Sequence, residues 1–499
     1  MAFSMAAAIP SGFLEKLPAV VKKGMVAFVL LSILALFIAM CVAPPQDVYP
    51  VNDYAEGVKP RTDYYTARAD AVSTADMSWM LASTALVLIM TPGLAFFYGG
   101  MINHKNVVGT IAACIIPMGV IPLMWSFIGY SLAFGEAVGP NVPYNSFLGN
   151  PKTYGLMYNV GAVKTPDYGY TDSTFWTFQC MFAIITPAIM VGAIADRVNF
   201  ASLLLFIPMW HMAVYCPMAH MVWGGGLIYK YGVWDFAGGM VVHMSSGWGA
   251  LAAALFLGPR AQQSNDGPAN PPYVMLGASL LWFGWFGFNG GSALGSSDLT
   301  SHAFLNTVLA TATAMFTWVL FDQLRGKPFK MTGMAMGIVV GLVAITPACG
   351  FVCYGAGIII GFIGSLVSWL TQWGMEKWGK ARADDTLDVF AAHGMGGTTG
   401  MILTSLFQDT EAGSWADYFN TAPDGSDYYI EGAFYGNGKE LGKCLLVLVC
   451  IVGYFLTATY FLCMLTNVFI SMRVTDEEEE EGLDFSKHYE GPYKGEEDA

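Results

Sequence analysis

Charge is what this 499-residue sequence has least of. Asp, Glu, Lys and Arg make up 12% of it, about half the share usual in soluble domains. Apolar types reach 55%, which leaves too little polar side chain to cover the surfaces of about three soluble domains. Basic residues are scarcest, 23 Lys and Arg against 37 Asp and Glu, for a net charge of −14. Eleven acidic and two basic residues fall between Val474 and Ala499, so −9 of that charge belongs to the tail and the body is nearly neutral. A chain without a basic stripe is excluded from binding nucleic acid by that route. Disulfide chemistry is scarce too. Of nine cysteines, Cys114, Cys180, Cys216, Cys444, Cys450 and Cys463 sit inside apolar runs, where a thiol serves as a small buried apolar group. A Cys349–Cys353 bond is a minor alternative. With no zinc-spaced Cys/His cluster and no nucleophile–base pair, neither a metal, a cofactor nor an enzyme activity is expected.

What is abundant is uninterrupted apolar chain. Stretches free of Asp, Glu, Lys and Arg run 77–104, 106–135, 173–195, 198–229, 236–259, 267–297, 299–321, 331–375, 389–408 and 444–472. A helix needs about 20 residues to cross the hydrocarbon. Nine of these stretches hold one helix each, and 331–375, broken at Cys349–Gly355, holds two. The expected fold is an all-α polytopic membrane protein with eleven transmembrane helices over 76–472. A β-barrel would show strands of half that length with alternating polarity. The apolar run Gly24–Ala43 follows Lys16, Lys22 and Lys23, so 1–43 reads as a signal peptide or an extra N-terminal helix. Either way 44–75 is exported and 473–499 is a cytoplasmic acidic tail. Ten Lys and Arg, among them Lys105, Arg197, Arg260 and Arg473, then fall on inner segments, against five on outer ones, as the positive-inside rule requires.

In such a chain the polar exceptions inside spans carry the information. His104, His302 and His488 lie at span ends or in the tail and read as surface residues, while His211 and His220 read as packed structural groups. His243 and His393 differ. Each follows an aspartate, Asp235 or Asp388, and stands among small residues. They lie on the fifth and tenth spans, which enter the membrane from opposite faces. At 1.5 Å per residue, both approach the middle of a core about 30 Å thick. Eleven spans divide as five, five and one. Because five is odd, the two halves must be inverted, an architecture used by transporters with a midplane site. Glycines at 238, 239, 247, 249, 394, 396, 397 and 400 permit close helix approach. Phe178 and Phe182 share a helical face, Trp223 precedes three glycines, and an aromatic run spans Trp282–Phe288. Such stripes are core more often than site, but near a mouth they can bind a small cation through the ring face.

The sequence resembles the ammonium transporters of the Amt/Mep/Rh family, on the Amt/Mep side, over about 75–495. The resemblance rests on the runs PGLAFFYGG (92–100), GYSLAFG (129–135), PMAHMVWGGG (217–226), DFAGG (235–239) with His243, WFGFN (285–289), ITPA (345–348) and VFAAHG (389–394). It implies an inner (plasma) membrane protein that moves ammonium. Phe178, Phe182, Trp223 and Ser292 match an outer recruitment site. Phe182 and Phe288 match a gate of stacked rings, and His243, His393 and Trp285 match the pore lumen. Asp235 matches an aspartate needed for transport. Gly482, Leu483, Asp484 and His488 match a regulatory tail. The resemblance also implies a homotrimer and a PII-type signal protein as a partner. Tyr489 stands where the family usually has Gly, Met240 and Ser245-Ser246 replace commoner residues, and 46–75 is longer than usual. The alternative function is an ammonium sensor that signals through the tail, but no output domain follows the last span.

Overall fold

The computed structural model describes residues 72–135, 147–161, 169–261, 267–379, 383–409, 412 and 431–491. The proposed signal peptide or extra helix, and nearly all of the exported segment, lie outside them. Among the described residues the secondary structure is helical, with isolated bridges at Val198–Arg473 and Val352–Gln408 and no strand. In chain order the long helices are α1 (Thr74–Met101), α2 (His104–Phe134), α3 (Asp172–Val191), α4 (200–222), α5 (Gly239–Leu257), α6 (Pro271–Gly291), α7 (Asp298–Leu324), α8 (Met331–Ile345), α9 (Tyr354–Lys377), α10 (390–407) and α11 (Gly438–Phe469). Among the described residues eight segments, which include α1, α2, α3, α5, α7, α9 and α11 and one that contains α4, are long and apolar enough to cross a membrane. The three charge-free stretches left over are helical as well, as α6, the 15-residue α8 and α10.

Local chemistry sets the ends and bends. The Ser73 hydroxyl caps α1 by accepting from the Asp76 amide, and Thr171 does the same for α3, as N-cap side chains do. Pro122 and Pro208 lack the amide that the helix ladder needs. Shortly after each of them the chain opens into a π-helical turn, Trp125–Gly129 in α2 and His211–Tyr215 in α4.

Packing follows the small residues. α1 lies along α6, where a Cβ on Gly277 would stand 2.3 Å from the Phe97 nitrogen. α5 crosses α10 still more tightly, since a Cβ on Gly247 would stand 2.0 Å from the Gly394 nitrogen. Large apolar side chains such as Phe283, Phe316 and Val449 point outward, as expected of a surface that meets lipid. At one end of the bundle, Arg260 bridges Asp196 at 3.0 Å and Asp384 at 2.7 Å, and Arg197, fully buried, pairs with Asp196 at 3.0 Å. The tail docks beside this cluster. Glu479 meets Arg473 at 2.8 Å and accepts from the Ala261 amide at 2.8 Å.

His302 departs from the surface reading. It is buried in α7, with Nε2 2.8 Å from the Val352 carbonyl and 3.1 Å from Asn306 Nδ2. The break between α8 and α9 folds over it, which charge spacing along the chain does not register.

Candidate functional site

The site begins with the start of α5. Asp235 Oδ1 accepts from the amides of Gly238 and Gly239 at 2.9 and 2.7 Å, and Oδ2 from Met240 and Val241 at 2.7 and 3.4 Å. One carboxylate thus satisfies amides that a helix start leaves without partners. The same residue's carbonyl accepts from Trp223 Nε1 at 3.0 Å, so the aspartate fixes both the helix and the indole above it.

From Trp223 a line of rings leads inward. The Phe182 ring stands edge-on to Trp223 at 6.1 Å, contacts Phe178 at 5.0 Å and lies over Phe288 at 4.3 Å with a 32° tilt. Ser292 Oγ donates to the Phe288 carbonyl at 2.8 Å. Phe178, Phe182 and Phe288 are buried, whereas Trp223 and Ser292 remain partly exposed. Below Phe288 lie Trp285, 5.1 Å away, and His243, stacked at 5.8 Å from Phe288 and 5.3 Å from Trp285. His243 Nδ1 is 3.2 Å from His393 Nδ1. Both imidazoles are buried, and His243 Nε2 has no hydrogen-bond partner among the described residues. The two histidines placed on separate spans by sequence are therefore in contact, and Phe178, Phe182, Trp223, Phe288, Ser292, Trp285, His243 and His393 form one continuous set. A 3.2 Å Nδ1–Nδ1 contact needs one ring to donate and the other to accept. A neutral pair then carries a bare nitrogen at one outer Nε2 and an N–H at the other.

The aspartate that precedes His393 in the sequence does not do at α10 what Asp235 does at α5. Asp388, with φ of 57°, accepts from Gln372 Nε2 at 2.7 Å. The carboxylate that takes the first α10 amide is Asp385, whose Oδ2 is 2.6 Å from the Phe390 nitrogen. Asp385 stands three residues before Asp388 in the sequence, and charge spacing alone does not distinguish the two.

The tail residues meet α2. Asp484 accepts from the Val108 and Gly109 amides at 3.0 and 2.8 Å, and the Leu483 amide donates to Asn106 Oδ1 at 2.8 Å. Gly482 has φ of +101°, and a Cβ there would stand 2.4 Å from Lys105 Cβ. His488 packs edge-on to Phe200 at 5.2 Å. Tyr489 holds φ of 55°, the left-handed conformation that a glycine would adopt without strain.

The model of the Ammonium Transporter Family matches residues 78–493. The chain belongs to the ammonium transporter family. It is 40% identical to an ammonium transporter of Bacillus subtilis (strain 168), over 84% of this chain and 98% of that one. It is 38% identical to Ammonium transporter Amt1 of Archaeoglobus fulgidus, over 85% and 100%. Among solved structures, Saccharomyces cerevisiae Mep2 superposes with a TM-score of 0.73 at 32% identity, covering 82% of this chain and 89% of that one. A structure described as a sensor Amt protein matches with a TM-score of 0.73 at 25% identity, covering 85% and 99%.

Proposed function

We propose that this chain is a membrane transporter for ammonium. It recruits NH4+ at Phe178, Phe182, Trp223 and Ser292, deprotonates it, and passes NH3 beyond the Phe182–Phe288 gate and along an apolar lumen. The observation that carries this reading is the unbroken path from the Trp223 mouth through paired rings to the His243–His393 contact. A bare cation in hydrocarbon costs at least several kcal/mol. Potassium and ammonium are similar in size, so a cavity alone separates them poorly, but only ammonium has a proton to lose. Ring faces and the Ser292 lone pairs stabilise the cation at the mouth. Past the gate, two neutral imidazoles offer a donor and an acceptor without a fixed charge. A proton accepted at one outer Nε2 and released at the other exchanges the tautomers, so charge crosses apart from NH3.

Asp235 supports this site by shape, since its carboxylate already accepts from four amides. In the same reading α1–α5 and α6–α10 are inverted repeats with α11 outside them, and two close seams pair corresponding helices, α1 with α6 and α5 with α10. The Trp223 mouth faces the exterior of the plasma membrane and the acidic tail faces the cytoplasm. The protein is a homotrimer, and its tail is the regulatory face on which a PII-type protein acts.

The test is transport in liposomes, read as current or uptake, with ammonium and then potassium and no added protein. Wild type is expected to respond to ammonium alone. His243→Asp places negative charge in the lumen and is expected to admit potassium. The His243→Leu/His393→Leu double variant removes every donor and acceptor and is expected to lose more than tenfold of ammonium-driven current. Wild-type current and selectivity in that folded double variant would show that the histidines are packing only. A sensor would respond only when its signalling partner is present.

A further inference from the structure

Two buried polar residues have no part in the route described so far: Asn289, at the end of the WFGFN run, and Thr346, in the ITPA run. The fold brings them together. Trp285 Nε1 donates to Thr346 Oγ1 at 2.9 Å. The Thr346 hydroxyl proton has two acceptors, the Leu342 carbonyl at 2.8 Å and Asn289 Oδ1 at 3.3 Å. Asn289 Nδ2 donates to Thr307 Oγ1 at 2.9 Å, and Thr307 in turn donates to the Ala303 carbonyl at 2.6 Å. Trp285, Asn289, Thr307 and Thr346 are all buried. A polar thread thus runs from the pore tryptophan across α6, the end of α8 and α7, through an otherwise apolar interior. Buried polar chains of this kind are costly when half satisfied and rigid when complete.

We propose that Thr346 is the positioning residue of the pore tryptophan: its hydroxyl holds the Trp285 N–H away from the lumen, so that ring carbon lines the passage beside His243. The inference rests on the ammonium route proposed above. Its geometry is that of a fixed plane. The indole lies at 21° to the His243 imidazole, with centroids 5.3 Å apart, and touches Phe288 at 5.1 Å. Turned about its side-chain bonds, the same indole would bring a hydrogen-bond donor into the narrow space where NH3 passes, and would loosen the stack that fixes His243. A buried N–H left without its acceptor carries the full desolvation penalty of that group, so the ring loses the bond that fixes its plane. The anchor is itself well held. Thr346 ends α8, and its neighbour Pro347 accepts from the Phe236 amide at 3.1 Å, one residue after the aspartate that cradles the start of α5. The α8–α9 break therefore supports the mouth through Asp235–Phe236 and the lumen through Trp285.

The experiment compares ammonium-to-potassium transport ratios in liposomes for wild type, Thr346→Val, Thr346→Ser and Trp285→Leu, with the double histidine variant as reference. Valine keeps the shape of threonine and loses only the hydroxyl. Thr346→Val is expected to lower the ratio at least fivefold while its amount and thermal midpoint stay close to wild type, and Thr346→Ser to restore the ratio to within twofold. A wild-type ratio in Thr346→Val, beside a lowered ratio in Trp285→Leu, overturns the positioning role and leaves the route standing. Wild-type behaviour of both Trp285→Leu and the double histidine variant overturns the route, and the inference with it. Should Thr346→Val fail to fold, Thr346→Ala, which also drops the hydroxyl acceptor and leaves the indole intact, decides by the same ratio. A lowered ratio supports the role, and an unchanged one overturns it.

Discussion

Asp235 and Asp385 do similar work at the starts of α5 and α10, but with different partners. Asp235 accepts from four amides. Asp385 accepts from the Phe390 amide, and its Oδ1 has no partner among the described residues. Burial pushes the Asp385 carboxyl up from 3.8 to about 6, against the pull of the Phe390 and Val389 amides and Arg197. The raised value fixes the sign of its effect. The folded protein holds this proton more tightly than the unfolded chain, so the contribution to stability is fully present below pH 3.8 and is lost as pH rises through about 6. A shift of this size corresponds to at most about 3 kcal/mol. Asp385→Asn is expected to remove that fall, so that its thermal midpoint in detergent varies less than wild type between pH 4 and 7. Parallel curves for the two proteins would show that Asp385 keeps its ordinary value. The neighbouring Asp384 behaves in the opposite way. Burial opposes its charge, but the Arg260 guanidinium more than offsets this and holds the carboxyl below the usual range.

Helix crossings decide whether the two histidines meet. His243 and His393 come from different elements, and what brings their rings to 3.2 Å is the contact of α5 with α10 at Gly247 and Gly394. No side chain fits there, because even a Cβ on Gly247 would collide with backbone that cannot swing aside. Gly247→Ala is therefore expected to cost about 1–3 kcal/mol, as overpacking in a rigid core does. It is also expected to move the imidazoles apart, so transport should fall several-fold even in the protein that still folds. Thermal unfolding and liposome transport, measured on the same preparation, check this. A variant with wild-type stability would mean that the helices separate there freely. The shortness of α8 belongs to the same scale. It ends at Ile345, and the irregular segment that follows supplies the hydroxyl for Trp285 and the carbonyl for Phe236.

At the scale of the whole molecule, the bundle buries its polar thread and the His243–His393 pair, turns large apolar side chains outward, and holds an ion-pair cluster at one end. There Arg197, Arg260, Asp196 and Asp384 join three inter-helix segments, and the tail clasps the same end through Glu479 and Asp484. These contacts lie outside the helices that line the ring path. Deleting 474–499 is accordingly expected to leave a folded, membrane-inserted protein whose transport rate changes while its ammonium-to-potassium selectivity does not. Size-exclusion profiles and liposome transport read both. Failure of the truncated chain to reach the membrane would make the tail a structural part.

Composition and charge spacing by themselves determined the class of this protein. Stretches too long and too apolar for a soluble core must become buried or lipid-facing helices, and rare polar residues within them must have partners. That reasoning reached His243, His393 and Asp235, because each is expensive in its setting and visible in one dimension. His302 escaped it, since the partner that buries it, the Val352 carbonyl, is 50 residues away. Asp385 escaped it because three aspartates, at 384, 385 and 388, lie close together and only the backbone path shows which one faces the Phe390 amide. Thr346 stood in a recognised run but without a role, for its meaning depends on the Trp285 indole 61 residues away. Tertiary structure decided these, for the physical reason that hydrogen bonds are satisfied across space. Sequence fixes which groups need a partner, and only the packing of helices determines which partner each one meets.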